Sequence, residues 1–265
     1  MSVHYETSKG IARFTLDNGK LNLLNAQMYE QLCTYFSQFM ADDSVKVAII
    51  MGSKGNSFCA GDDLKSKPRP LHLTPHWPTM LATQPRNKPV IAAVDGWCLG
   101  AGFQILMSQS DIRIATADAK FGFPEINYGM GGAGGAVRLG RHLPHTVAMY
   151  MLMTGEYMSS KQARRYDLIN QIVAPEKLLQ RAEEIAVKII KHPLLAIQVE
   201  MDAYTRANDL SSNDAMNLTS TLYRMEQALV LKEGGSLDDI KFSGNQEMDE
   251  FIDEVSLINQ EDISH

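Results

Sequence analysis

The sequence predicts an α/β fold with strands and helices interleaved early in the chain and helices alone towards its end. Three observations carry this. The runs Val47-Ala48-Ile49-Ile50-Met51 and Val90-Ile91-Ala92-Ala93-Val94 are short, apolar and rich in β-branched residues, as buried parallel strands are. Each leads into a glycine-rich turn, Phe58-Cys59-Ala60-Gly61-Asp62-Asp63-Leu64 and Gly96-Trp97-Cys98-Leu99-Gly100-Ala101-Gly102. From Gly134 onward the periodicity is mostly helical.

Residues 3–7 and 11–17 read as two strands joined by a turn at Lys9-Gly10. A helix follows over 25–41, with Met28, Leu32, Phe36 and Met40 at helical spacing. The strand 46–51 enters the first glycine turn. The segment 65–89 carries Pro68, Pro70, Pro75, Pro78, Pro85 and Pro89 and reads as a long irregular loop, of the kind that serves as a lid or binding loop. Beyond the strand 90–94 and the second glycine turn come a helix over 101–109, a strand over 111–115 and a short extended piece over 120–123. Helices are expected over 133–141, 144–154, 159–165, 175–191, 193–208 and 213–233, interrupted by one strand at 168–173.

Of the 265 residues, 45% are apolar and 21% charged, the balance of an ordinary globular enzyme. A net charge of −6 leaves no electrostatic footprint for nucleic acid or an anionic membrane, though a local cluster could still hold a small anion. Cys33, Cys59 and Cys98 are odd in number and follow no disulfide spacing, which suits reduced thiols and a cytoplasmic setting. The start of the chain has no signal-peptide pattern, and no apolar run reaches the ~20 residues of a membrane span. The expectation is a soluble intracellular protein. His72 and His76 lie four apart, but Pro75 breaks any helix between them and no third ligand stands nearby, so no metal is expected. Gly100-Ala101-Gly102 does not continue as a dinucleotide fingerprint, since position 105 is Ile105.

Small residues after a strand let backbone N–H groups face a crevice without side chains in the way. Two such turns could direct one N–H each at a single oxygen, the construction of an oxyanion hole. Four segments then occur in order: Ser57-Phe58-Cys59-Ala60-Gly61-Asp62-Asp63-Leu64, Lys88-Pro89-Val90-Ile91-Ala92-Ala93-Val94-Asp95-Gly96, Ala119-Lys120-Phe121-Gly122-Phe123-Pro124-Glu125-Ile126, and Gly132-Ala133-Gly134-Gly135-Ala136-Val137-Arg138-Leu139. As a set they resemble the crotonase (enoyl-CoA hydratase/isomerase) family over roughly residues 10–230.

The resemblance implies a crotonase (ClpP-like) spiral of ββα units over 1–195 and a helical C-terminal trimerisation region with an acidic tail over 196–265. It also implies an acyl-CoA thioester as ligand, coenzyme A arriving as part of the substrate with no separate cofactor, and a homotrimer or homohexamer. Carried over by position, the oxyanion donors are the backbone N–H groups of Asp62 and Ala101, and Glu125 is the catalytic glutamate. Alanine at 101, where the family usually has glycine, keeps the N–H. A carboxylate beside Phe121, Phe123, Ile126 and Tyr128 would be partly desolvated, raising its pKa towards what proton transfer at carbon needs.

Cys59, Ala60, Asp63, Leu64, Lys65, Gly100 and Gln104 are expected around the substrate, with Tyr128, Met130 and Tyr150 shaping the acyl pocket. Lys65, where the family often has lysine, is placed to meet the phosphates of CoA, Lys67 and Arg69 either to do so or to stand solvated on the loop, and His72, His76 and Trp77 to line the acyl pocket. His145 opens a helix after Pro144, with solvent-facing and catalytic roles both open. Family hydratases carry a second glutamate where this chain has Gln104, and the neighbours Phe103 and Ile105 supply no carboxylate either. Gln104 can hydrogen-bond water but cannot take its proton. The acidic run Asp249-Glu250-Phe251-Ile252-Asp253-Glu254 would repel CoA phosphates, so no contact with them is expected from the tail. The expected activity is enoyl-CoA isomerisation or hydration with a single glutamate. The alternatives are hydrolysis, decarboxylation or C–C cleavage of a specialised acyl-CoA, or a member that binds without chemistry.

Overall fold

The computed structural model describes residues 2–65, 86–131 and 135–232. Expectations for Lys67, Arg69, His72, His76 and Trp77, for residues 132–134 and for the acidic tail lie outside the described residues. By its internal contacts the chain divides into two units, Met1–Asp202 and Ala203–His265.

The first unit opens with β1 (Ser2–Ser8) and β2 (Ile11–Asp17), antiparallel to one another across the Lys9-Gly10 turn. Then come α1 (Ala26–Ala41), β3 (Val47–Gly52), β4 (Val90–Val94), β5 (Trp97–Leu99), α2 (Ala101–Gln109), β6 (Ile112–Thr116) and β7 (Lys120–Gly122). A 3-10 turn over Pro124–Tyr128 leads to α3 (Gly135–His142), α4 (His145–Thr154), β8 (Met158–Ser159), α5 (Ser160–Arg165), β9 (Gln171–Val173) and α6 (Leu178–Ile190). The helix α7 (Leu194–Ala207) runs from the first unit into the second, which contains α8 (Ser212–Lys232).

One sheet has the order β1-β2-β3-β4-β6-β9, parallel from β2 onward, and the other has the order β5-β7-β8. The apolar runs are continuous because both faces of the large sheet are covered. Ala48, Ile50, Val90, Ala92 and Val94 join Phe14, Leu32, Phe36 and Phe39 in one core. Val47, Ile49, Ile91, Ala93 and Ile114 join Leu178, Ala182, Ile185 and Ala186 of α6 in another. The α1 N-terminus is capped by Asn25, whose side chain accepts from Met28 N at 3.0 Å. At its far end the fully buried Lys88 donates to Phe39 O at 3.0 Å and Asp42 O at 2.8 Å, placing a cation on the helix C-terminus.

Several expected boundaries change. Residues 97–99, read as part of a turn, form β5, which pairs with β7 and builds the second sheet. The strand expected over 168–173 shortens to Gln171–Val173. Leu168 and Ile169 are buried but lie in a turn, after Asp167 at φ +57°. Phe39, not Met40, completes the buried face of α1, together with Tyr29.

Candidate active site

The site forms where the chain leaves the C-terminal ends of β3 and β4. Below β3, Cys59 N donates to Trp97 O and Leu99 N donates to Cys59 O, both at 2.9 Å, so the first turn runs alongside β5. On its other flank, Leu24 N donates to Gly61 O at 2.9 Å and Asp63 N to Leu24 O at 2.8 Å. Because a trans peptide holds its C=O and N–H in opposite directions, fixing Gly61 O on Leu24 turns the Asp62 N–H away from Leu24.

The same logic orients the second amide. Gln104 N donates to Gly100 O at 2.9 Å, closing the first turn of α2. The Gly100 carbonyl therefore faces along the helix, and the Ala101 N–H points out of its N-terminal end, where the helix dipole is positive. Gly61 at φ +113° and Gly100 at φ +52° supply the left-handed backbone that both turns need.

Glu125 closes the third side. It sits in the first turn of the 3-10 segment after Pro124. A Cβ built on Gly100 would lie 3.2 Å from Glu125 Oε1 and 3.8 Å from Gly61 Cα, so both glycine turns and the carboxylate crowd about one point. Glu125 Oε2 is buried and has no hydrogen-bond partner among the described residues. Burial is the main force raising the Glu125 pKa above the ordinary 4.5, partly offset by its own backbone amide and reinforced by the negative charge of Asp62. A carboxyl poised in this way can hold or give up a proton more evenly near neutral pH than a solvated one.

The other expected residues sort by exposure. Gln104 is largely buried one turn into α2. Lys65 and Leu64 are exposed, and Asp63 Oδ1 accepts from Lys65 N at 3.0 Å. Ala60 is half-buried, its N–H donating to Leu21 O at 2.9 Å. Tyr128 and Met130 are both exposed. Tyr150 is exposed too, its hydroxyl donating to Glu156, and so is His145 at the start of α4. Cys59, expected around the substrate, lies beneath the first glycine turn. Its side chain is fully buried, Gly61 N donates to its sulfur at 3.4 Å, and burial pushes the thiol up to about 12. It fills the space beneath the turn. Among the described residues no group of three or more metal-binding side chains occurs, and no helix is long and apolar enough to cross a membrane.

One residue of the site is not visible in the sequence pattern. The buried Tyr29 of α1 donates its hydroxyl to Asp62 Oδ1 at 2.6 Å. The available signal is generic: a tyrosine beside an apolar helical stripe needs a polar partner when buried, but nothing in the sequence names that partner.

With this geometry in place, comparison with known proteins is specific. A family model described as Enoyl-CoA hydratase/isomerase matches residues 6–235. (E)-benzylidenesuccinyl-CoA hydratase of Thauera aromatica is 33% identical over 223 residues, covering 79% of this chain and 84% of that protein. Carnitinyl-CoA dehydratase of Proteus mirabilis is 31% identical over 223 residues, covering 82% of this chain and 85% of that protein. The crystal structure of an enoyl-CoA hydratase/isomerase from Mycobacterium paratuberculosis aligns with a TM-score of 0.77 at 29% identity, covering 86% of this chain and 90% of that one. The α/β crotonase fold expected from the sequence is the fold of these structures. The chain is a member of the enoyl-CoA hydratase/isomerase (crotonase) family.

Proposed function

We propose that this protein is an acyl-CoA enzyme that stabilises a thioester enolate and moves a proton at the adjacent carbon with a single glutamate. The observation that supports it best is the meeting of Gly61, Gly100 and the Glu125 carboxylate about one point. When the α-carbon of a thioester loses a proton, or its β-carbon is attacked, negative charge collects on the carbonyl oxygen. The amides of Asp62 and Ala101 are the donors for that oxygen, each worth about 3 kcal/mol of transition-state stabilisation. Glu125 carries the proton to or from carbon. No separate cofactor is required, because coenzyme A enters with the acyl group.

Two overall reactions share this step. Movement of a double bond needs one carboxylate, which suits Gln104 in the place of a second glutamate. Addition or loss of water is favoured by the names of the two relatives, a hydratase and a dehydratase. In that case Gln104 would hold the water by hydrogen bonds while Glu125 alone exchanged protons. The exposed apolar side chains Met149 and Met153 support self-association into a trimer or hexamer.

Incubation with crotonyl-CoA, 3-hexenoyl-CoA and a β-keto thioester, with products read by mass, tests the reading. A gain of one water on a 2-enoyl-CoA indicates hydration. Chromatographic conversion of the 3-enoyl to the 2-enoyl isomer at constant mass indicates isomerisation. Release of free CoA or carbon dioxide alone would contradict both, and no reaction on any thioester would leave a binding protein.

A further inference from the structure

We propose that Tyr29 is a positioning residue of this site: by holding the Asp62 side chain it fixes the orientation of the Gly61–Asp62 peptide and so aims the first amide donor. The inference rests on the proposed role of the Asp62 amide and adds a residue remote from the substrate that sets its geometry.

A glycine at φ +113° gives the Gly61–Asp62 peptide little steric resistance to rotation. What restrains it must come from bonds on either side. Main-chain restraint comes from Leu24, which bonds both Gly61 O and Asp63 N. Side-chain restraint comes from the Cys59 sulfur, which accepts from Gly61 N at 3.4 Å, and from Tyr29, in the first turn of α1 and only 3% exposed. The Tyr29 hydroxyl donates to Asp62 Oδ1 at 2.6 Å, a short, charge-assisted bond. Burial and the nearby Asp62 carboxylate push this phenol well above its ordinary 10.0, so it remains a donor throughout the working range. The capped N-terminus of α1 therefore grips the turn at two places, through Leu24 just before the cap and Tyr29 just after it. A misdirected donor loses transition-state stabilisation and leaves the CoA-binding groups untouched, so the expected signature is in kcat.

The test measures kcat, KM and Tm on whichever enoyl-CoA the wild type converts. Tyr29→Phe is expected to lower kcat about ten-fold with KM within about two-fold and Tm within about 4 °C. Asp62→Ala is expected to lower kcat similarly, and the double variant to be no slower than the slower single. Asp62→Asn, whose amide oxygen can still accept from Tyr29, is expected to recover part of the Asp62→Ala loss, and only when Tyr29 is present. A Tyr29→Phe enzyme with kcat within about two-fold of wild type, or losses that multiply in the double variant, would overturn the inference. Should Tyr29→Phe fail to fold, the exposed position carries the test: equal kcat for Asp62→Ala and Asp62→Asn would overturn it. A wild type inactive on every thioester removes the proposed function together with this inference, whereas an active wild type with unaffected variants removes the inference alone.

Discussion

Glu125 is a carboxylate enclosed on one side by Gly100 and left without a partner on Oε2. Such a group is unfavourable for the fold while it is charged and useful to chemistry for the same reason. Its folded-state pKa lies above the ordinary 4.5 that it takes in the unfolded chain. The native state therefore binds this proton more tightly than the unfolded state does. The group destabilises the fold above the raised folded value, and that penalty disappears as pH falls through it towards 4.5. Glu125→Gln keeps the shape and removes the charge. The variant is expected to melt at a higher temperature than wild type at pH 7 to 8, with the gap closing as pH falls through the raised folded value towards 4.5. Melting curves across pH check this, and a variant less stable at pH 8 than wild type would contradict the burial described for this side chain.

At the scale of elements, the second proposed donor belongs to α2, and what holds α2 holds that amide. Its N-terminal turn packs on the first glycine turn so closely that a Cβ on Gly102 would lie 2.3 Å from Cys59 O. Its C-terminal end is held by the buried guanidinium of Arg113, which donates to Ser110 O at 3.1 Å and Met107 O at 3.5 Å. Gly102→Ala must therefore push the helix off the turn. It is expected to cost about 3 kcal/mol in urea unfolding and to lower kcat beyond that, because Ala101 moves with the helix. Gly131→Ala, with nothing among the described residues within 4 Å of the added methyl, is the neutral control. The long elements were legible because their periodicity is a property of many residues: α1, β3, β4 and α6 each display a buried face in the sequence itself. Of the second sheet only β7 was, as the extended piece over 120–123, because β5 and β8 contribute only two or three residues each and their identity depends on their partners. The Leu168-Ile169 pair shows the converse, since an apolar run reports burial and not extension. Asp62, Ala101 and Glu125 were legible as candidates through local motifs, whereas Tyr29 acts on a residue 33 positions away and carries no local signature.

For the molecule as a whole, parallel order from β2 onward puts the C-terminal ends of β3 and β4 on one side, with helices over both faces of the sheet. Ligands of open α/β sheets bind beyond those ends, where turns replace strands and amides lose their ladder partners. The two glycine turns occupy that place, and the 3-10 turn brings Glu125 to it. Elsewhere on the first unit, Met149 and Met153 of α4 are exposed apolar side chains without an evident role in a single copy. Sedimentation is accordingly expected to give three or six times 29.4 kDa, and a monomer at micromolar concentration would contradict the proposed assembly. The chemistry itself can be tested independently of which enoyl-CoA is the substrate. In deuterium oxide, the wild type is expected to exchange the α-protons of butyryl-CoA, a saturated thioester that can only form the enolate and return. Glu125→Gln should slow that exchange about a thousand-fold; equal exchange rates in the two proteins would contradict an enolate formed by this glutamate.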